Sequence, residues 1–279
     1  MKAWTEVKAY LPGEPDDWSM WAEVFARHGV NGTVQTDTPP TISGYLAPGC
    51  ESGLVPLKEE LFSFGAMTVE NRLVPEEDWA ESWKQFFKPR RIGKHLVVRP
   101  SWEEFDSTPE DVVIVLDPGQ AFGTGDHPTT RGCLEILEEV GATGLEIADI
   151  GCGSGVLSVA AMLLGAKSAV AVDVDPPSVE ATQENAARNG VQVDARLGLG
   201  FDPLPPDATY DLVLSNIISA ALIALAPEAS RRVRPGGRWV VSGVIEANWP
   251  SVQEAAARHG FTLEKTFQEN DWLAASFLR

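Results

Sequence analysis

Two carboxylates bracket a glycine turn in the stretch Ile147-Ala148-Asp149-Ile150-Gly151-Cys152-Gly153-Ser154-Gly155 and its continuation to Asp173. Residues 145–150 are predicted to form a strand and residues 156–164 an apolar helix, with three glycines between them. Without Cβ atoms at Gly151, Gly153 and Gly155 the turn can bend tightly, and a ligand can lie against bare backbone at the helix N-terminus. A second predicted strand, residues 169–172, ends in Asp173. That is about twenty residues past the turn, where α/β nucleotide folds place a carboxylate on a ribose. Turn and acid together set an adenosine across the carboxyl ends of adjacent parallel strands.

The surrounding residues distinguish between nucleotides. A dinucleotide turn carries its third glycine at position 156, where this chain has Val156. Asp149, at the strand end just before the turn, would repel a pyrophosphate settling on the helix N-terminus. It suits a ligand that has no phosphate and carries an ammonium group. S-adenosylmethionine, with adenosine, a sulfonium and a free amino-acid end, meets both conditions and is the cofactor expected. The bland alternative is a tight strand–helix connection with Asp149 as a cap, but it leaves the register of two acids around one turn unexplained.

Composition narrows the class further. The chain has 279 residues and a formal net charge of −18, which argues against DNA or RNA as the main partner because phosphates are repelled. The charge fits a basic or cationic substrate, and equally fits simple solubility. Cys50, Cys133 and Cys152 are odd in number and lack CxxC spacing, and His28, His95, His127 and His259 are scattered. No metal site is expected, and a reduced, cytoplasmic setting is. The N-terminal residues 2–8 are charged and show no signal peptide. The longest apolar stretch, residues 217–226, is too short to span a bilayer, so no membrane association is expected.

The elements that would position the turn follow from hydrophobic periodicity. Residues 4–11, 33–36, 41–46 and 67–73 read as strands, and residues 16–28 and 54–62 as helices. This βαββαβ order predicts a small α+β, ferredoxin-like domain over residues 1–73, either a structural appendage or an arm that recruits substrate. Residues 74–89 predict a linker helix with an aromatic stripe of Trp79, Trp83, Phe86 and Phe87. Residues 90–279 form the expected catalytic domain. In it, strands at 95–99 and 112–116 precede the loop Asp117-Pro118-Gly119-Gln120-Ala121-Phe122-Gly123-Thr124-Gly125-Asp126-His127-Pro128-Thr129-Thr130. Its glycines, prolines and threonines exclude regular structure, and its backbone donors and hydroxyls suit closure over a bound nucleotide. Beyond Asp173, helices at 176–189, 220–233 and 252–259 alternate with strands at 193–197, 211–215 (ending at Asn216) and 239–242. Residues 261–267 and 272–277 then close as a hairpin. The fold class predicted is a Rossmann-like, doubly wound α/β sheet with an antiparallel C-terminal edge strand.

The glycine turn, Asp173, and Asn216 at a strand end resemble class I methyltransferases, which use S-adenosylmethionine. The loop motif Leu-Asp-Pro-Gly-x-Ala-Phe-Gly-Thr-Gly-x-His-Pro-Thr-Thr over residues 116–130 is similar to the signature of the PrmA family, bacterial methyltransferases of large-subunit ribosomal protein eleven. The Glu77-Asp78-Trp79 to Trp83 linker and the small N-terminal module match that family too. The resemblance implies cofactor contacts at Thr130, Gly151, Asp173 and Asn216, with Asn216 near the transferred methyl. It also implies that Phe122, Gly123, Thr124, Gly125 and His127 lie over the cofactor, beside the turn residues Asp149 and Gly153. It implies, further, that residues 1–73 recruit the ribosomal protein, free or on the ribosome. Amide and nucleobase methylases often carry Asn-Pro-Pro-Tyr at this strand end; here Asn216 is followed by Ile217, Ile218 and Ser219, and the PrmA family also lacks the two prolines.

The implied reaction is transfer of methyl groups to lysine side-chain amines, N-terminal α-amines, or both. Asn216, with neighbouring backbone carbonyls, would hold the amine, and Ile217 and His127 are further candidates near substrate or loop. His127 is the nearest candidate base, set against a role in ordering the loop. The chain is expected to act as a monomer. The competing functions are a methyltransferase acting on a free metabolite amine, and a regulator that binds S-adenosylmethionine without chemistry.

Overall fold

The computed structural model describes residues 3–13, 15, 18–30, 33–37, 39–75, 87–117, 123, 125 and 127–279. The chain divides into two compact units, Met1–Phe86 and Phe87–Arg279. Trp79, Trp83 and Phe86 of the expected linker helix, and Phe122 and Thr124 of the loop, lie outside the described residues.

In the first unit, β1 (Ala3–Tyr10), α1 (Trp18–Arg27), β2 (Thr33–Asp37), β3 (Pro40–Leu46), α2 (Leu54–Phe64) and β4 (Thr68–Pro75) follow one another. The strands form an antiparallel sheet in the order β2-β3-β1-β4, the ferredoxin-like arrangement. Alternate residues of the strands make one face apolar: Val7 and Ala9 of β1 and Ile42 and Leu46 of β3 pack with Val24, Phe25, Leu57 and Leu61 of the two helices. Gly44 has no room for a side chain, because a Cβ there would meet Phe25 Cδ1 at 2.8 Å.

The second unit opens with a three-stranded sheet of β5 (Arg90–Ile92), β6 (Leu96–Arg99) and β7 (Val112–Val115), in which β6 and β7 run parallel. The short strand β5 was not legible in the sequence pattern. The unit continues with α3 (Pro128–Val140), β8 (Glu146–Ile150), α4 (Val156–Leu163), β9 (Ser168–Asp173), α5 (Pro176–Arg188), β10 (Asp194–Leu197), β11 (Tyr210–Asn216), α6 (Ser219–Arg232), β12 (Val233–Ile245), α7 (Trp249–Arg258), β13 (Thr262–Glu269) and β14 (Trp272–Leu278). Seven strands form one sheet in the order β10-β9-β8-β11-β12-β14-β13.

Both faces of this sheet are buried, and the two-residue alternation of a strand assigns each side chain to one face. Ile147, Leu212 and Leu214 pack with Leu134 and Leu137 of α3 and with Val159 and Ala160 of α4. Ala148, Ile150 and Val213 point the other way, toward Leu222 and Ala226 of α6 and Val252 and Ala256 of α7. The expected doubly wound α/β class is the one observed. One detail is corrected: the reversed strand is β14, and it lies one place in from the edge, antiparallel to both β12 and β13. The side chains explain the swap. β14 is buried along nearly its whole length, whereas β13 alternates polar and exposed positions, so the apolar strand takes the interior and the polar one faces solvent.

Within the second unit, Glu138 ties α3 to the three-stranded sheet. Its carboxylate accepts hydrogen bonds from the backbone N–H groups of Lys94 (2.7 Å), His95 (2.6 Å) and Leu96 (3.1 Å). It fits because Gly93, at φ +61°, leaves room where a Cβ would overlap the carboxylate. Three amides share one anionic acceptor, so Glu138→Ala is expected to lower stability by about 2 kcal/mol. Urea unfolding followed by circular dichroism measures this; an unchanged midpoint would mean that water replaces the carboxylate at no cost.

Candidate functional site

The parallel strands β8, β9, β10 and β11 all end on the same side of the sheet, and a cavity of about 670 Å3 opens there. Between β8 and β11 the strand order reverses, which is where open α/β sheets bind ligands. The cavity is bounded by the turn after β8 (Gly151, Cys152 and Gly153), by Asp173 to Asp175 after β9, by Gly198 to Gly200 after β10, and by Asn216 and Ile217 after β11.

Each wall has a local cause. Gly151, Gly153 and Gly155 all have positive φ, at 81°, 53° and 75°, a backbone region costly for other residues. The turn is held from below: the N–H groups of Gly151 and Cys152 donate to Val172 O at 2.8 and 3.1 Å. From α5, the Thr182 hydroxyl donates to Gly153 O at 3.1 Å and the Asn185 amide to Ser154 O at 2.8 Å. The Ser154 hydroxyl in turn donates to Gly123 O at 2.7 Å, which joins the loop before α3 to the glycine turn.

The two acids that flank the turn occupy different environments. Asp173 borders the cavity. Its Oδ2 accepts from Gly153 N–H at 2.9 Å and its Oδ1 from Asp175 N–H at 3.0 Å, leaving further lone pairs on each oxygen for a ligand's hydroxyls. Asp149 lies beneath the turn, fully buried and off the cavity wall. Its Oδ2 accepts the Ser158 hydroxyl of α4 at 2.7 Å, while Oδ1 has no protein partner. Burial pushes its carboxyl up to about 7, against the lowering effect of Ser158. The electrostatic welcome that the sequence suggested for both acids therefore falls to Asp173 at the cavity surface, and Asp149 supports the strand end from below.

On the opposite wall, Asn216 Nδ2 donates weakly to the Thr130 hydroxyl at 3.4 Å, and Asn216 Oδ1 is buried without a protein partner. Thr130 is itself buried and borders the cavity, as does Gly123. Of the other loop residues, Gly125 packs against Val98, where a Cβ would come within 3.0 Å, and does not border the cavity. His127 caps α3: its Nδ1 lies 2.8 Å from the Thr129 hydroxyl, and its ring meets Trp272 edge-on at 4.8 Å. Burial and Arg131 lower the pKa of His127, so it is neutral near pH 7, and it is not part of the cavity wall. The segment Gly198-Leu199-Gly200 with Asp202 was not singled out in the sequence. Its signal was there, a second glycine pair closing the strand after Asp173. Val174 and Leu199, 62% and 70% exposed, border the cavity beside Asp173 and offer apolar surface to a flat base.

The matched features are now specific enough to place the chain among known proteins. Residues 33–279 match the family model described as ribosomal protein L11 methyltransferase (PrmA). The chain belongs to the PrmA family. It is 40% identical to the ribosomal protein L11 methyltransferase of Symbiobacterium thermophilum, over 86% of this chain and 83% of that one. It is 36% identical to the Pelotomaculum thermopropionicum protein of the same name, with 97% of each covered. Among solved structures, the ribosomal protein L11 methylase of Lactobacillus delbrueckii subsp. bulgaricus superposes with a TM-score of 0.65 at 31% identity, over 69% of this chain and 99% of that one. The family is one of class I methyltransferases that use S-adenosylmethionine. The residues present fit that cofactor: the Gly151 and Gly153 backbone on the cavity wall, a cavity-facing carboxylate at Asp173, apolar surface at Val174 and Leu199, and an unpartnered amide oxygen at Asn216.

The buried Asp149 gives a signed pH dependence. Its carboxyl is raised from an unfolded value of about 3.9 to about 7 in the fold, so between these limits the folded state holds a proton that the unfolded state has lost. Stability then falls as pH rises across that window. An Asp149→Asn variant lacks the titration, so its melting temperature relative to the unaltered protein should climb from pH 4 to pH 7. Calorimetric scans at several pH values check this, and a difference independent of pH would show that Asp149 is ionised in the fold.

Proposed function

We propose that this chain transfers methyl groups from S-adenosylmethionine to amines of ribosomal protein L11, at lysine side chains, the N-terminal α-amine, or both. Family membership supports the protein substrate. The amine is supported by a single observation, the Asn216 Oδ1 atom. It is a buried acceptor without a protein partner, in the cavity wall across from the glycine turn. Buried polar atoms are rarely left unpaired, and an amine N–H would complete this one.

When bound, S-adenosylmethionine supplies a methyl group on a sulfonium, an electrophile with a good leaving group. The chain's own residues have to bind, align and desolvate. Asp173 accepts hydroxyl donors beside the turn, and Gly151 and Gly153 on the cavity wall carry no side chain to hold a ligand away. Asn216 accepts an N–H from the incoming amine and so directs the nitrogen lone pair, while Thr130 holds the amide in orientation. The nucleophile has to be neutral: a lysine amine has a reference pKa of about 10.4 and an α-amine about 7.7 to 8.0. Removal from water favours that neutral form. No general base is assigned: His127 is engaged at the α3 cap, which suits it to ordering the loop.

The N-terminal unit is proposed as the arm that engages the ribosomal protein. A groove of about 580 Å3 on it is lined by Glu6, Lys8, Tyr10, Lys58, Glu70 and Arg72 among others, groups of both signs suited to a protein surface. The chain is proposed to act as a monomer, because the donor turn and Asn216 belong to one unit, and to work in the cytoplasm, where ribosomal proteins are made. Among the described residues no helix is long and apolar enough to cross a membrane.

Radiolabelled S-adenosylmethionine and purified ribosomal protein L11 test the reaction, and two substitutions separate its parts. Asp173→Ala should weaken cofactor binding by roughly 1.5 to 3 kcal/mol through loss of charge-assisted hydrogen bonds, read by titration calorimetry. Asn216→Ala should leave that affinity nearly unchanged while slowing transfer about 100-fold, the scale of a misplaced reactant. No label on the ribosomal protein with the unaltered enzyme would sink the proposal, and full turnover in Asn216→Ala would place the amine elsewhere.

A further inference from the structure

Ile217 follows Asn216 at the end of β11, and its peptide is held on three sides. Its N–H donates to Ser242 O at 3.1 Å, carrying the β11–β12 ladder one step beyond the Asn216–Ser242 pair. Its carbonyl lies against Gly243 of β12: a Cβ on that glycine would overlap the oxygen and sit 2.7 Å from the carbonyl carbon and 3.1 Å from the nitrogen. Its side chain lies over Gly151, where a Cβ would overlap Ile217 Cγ2. Both glycines have positive φ, 81° at Gly151 and 85° at Gly243. The register of β12 against β14 also shifts between Val241 and Val244, around Gly243. Two glycines, one in the turn after β8 and one in β12, are thus both packed against the same residue.

We propose that Gly151 and Gly243 clamp Ile217 from two sides and so set the spacing between the cofactor turn and the Asn216–Ile217 acceptor peptide. Ile217 and Gly243 are then positioning residues for methyl transfer. The inference rests on the proposed amine chemistry at Asn216. It is needed because the β8–β11 ladder ends with Leu214 paired to Asp149. Among the described residues no further ladder pair joins the two strand ends above it. The side-chain contact of Ile217 with Gly151 bridges them there, and a β-branched residue is a stiff spacer because its χ1 is restricted. Ile218, next in sequence, is 70% exposed and has no such constraint. In-line transfer requires the reacting atoms at near-attack distance, and an error of about 1 Å costs about 100-fold in rate.

The test compares full-length Gly243→Ala, Gly151→Ala, Ile217→Ala and the double variant Gly151→Ala/Ile217→Ala. Gly243→Ala pushes on the Ile217 backbone and leaves the turn untouched. It should lower kcat for ribosomal protein L11 about 100-fold with KM and cofactor affinity within about threefold. Hydrogen exchange at the Ile217 amide, whose bond to Ser242 it strains, should rise about tenfold or more. The Gly151→Ala overlap is with the Ile217 side chain, so adding Ile217→Ala should restore transfer at least about tenfold over Gly151→Ala alone. The φ strain of alanine at position 151 is common to both variants and cancels. Unchanged kcat in Gly243→Ala overturns the clamp, and so does a double variant no faster than Gly151→Ala. If Gly243→Ala fails to fold, the comparison of Gly151→Ala with the double variant decides alone. If the unaltered protein transfers no methyl, the proposed function fails, whereas Ile217 amide exchange and cofactor affinity in the same variants still test the clamp.

Discussion

Everything at this site depends on parallel strands that stop together. β8, β9 and β11 run in one direction, with Ile150 paired to Val172 and Leu214 to Asp149, so the glycine turn, Asp173 and Asn216 emerge on one edge of the sheet. The reversal of strand order between β8 and β11 parts the helices above that edge, because α4 and α6 leave toward opposite faces. The cavity therefore follows from chain topology, and the residues that border it are those immediately after each strand. Their chemistry can specialise without disturbing the core, since the strands below carry the packing.

Burial assigns the two acids their tasks. An aspartate at the cavity surface retains solvent and backbone donors, and Asp173 accepts from Gly153 and Asp175 while still facing the cavity. An aspartate under the turn loses water, and Asp149 is pushed up to about 7 as a result. The same desolvation raises the thiols of Cys133 and Cys152 well above their ordinary range, so neither cysteine is suited to nucleophilic chemistry. The floor of the site is structural and its rim is polar, an arrangement that fits a displacement needing alignment more than acid–base catalysis.

Much of this was readable from residue types. The alternation of apolar runs with helical stretches gave the doubly wound sheet, because strands buried on both faces must be apolar throughout and helices amphipathic. The βαββαβ order of the N-terminal unit was legible for the same reason. The position of the reversed strand was missed: a hairpin read along the chain does not say which arm goes inward, although the polar alternation of Thr262 to Glu269 against the apolar run of Trp272 to Leu278 held the answer. The three-residue strand β5 was too short to show periodicity. That Asp173, Gly151 and Asn216 converge at the strand ends, bordering one cavity, was legible from spacing and resemblance. The burial of Asp149 was not, since sequence does not show how deep a strand end lies. Gly243 carried no signal, because its need for a bare Cα comes from Ile217, the residue just past the end of another strand.

The most direct measurement is a crystal structure of the protein soaked with S-adenosylhomocysteine, the product of transfer. The account predicts the ligand in the crevice above β8 and β11, its ribose hydroxyls on Asp173 and its sulfur on the side facing Asn216. Ligand bound on another face of the protein, or a diphosphate preferred over it in the same crevice, would contradict it.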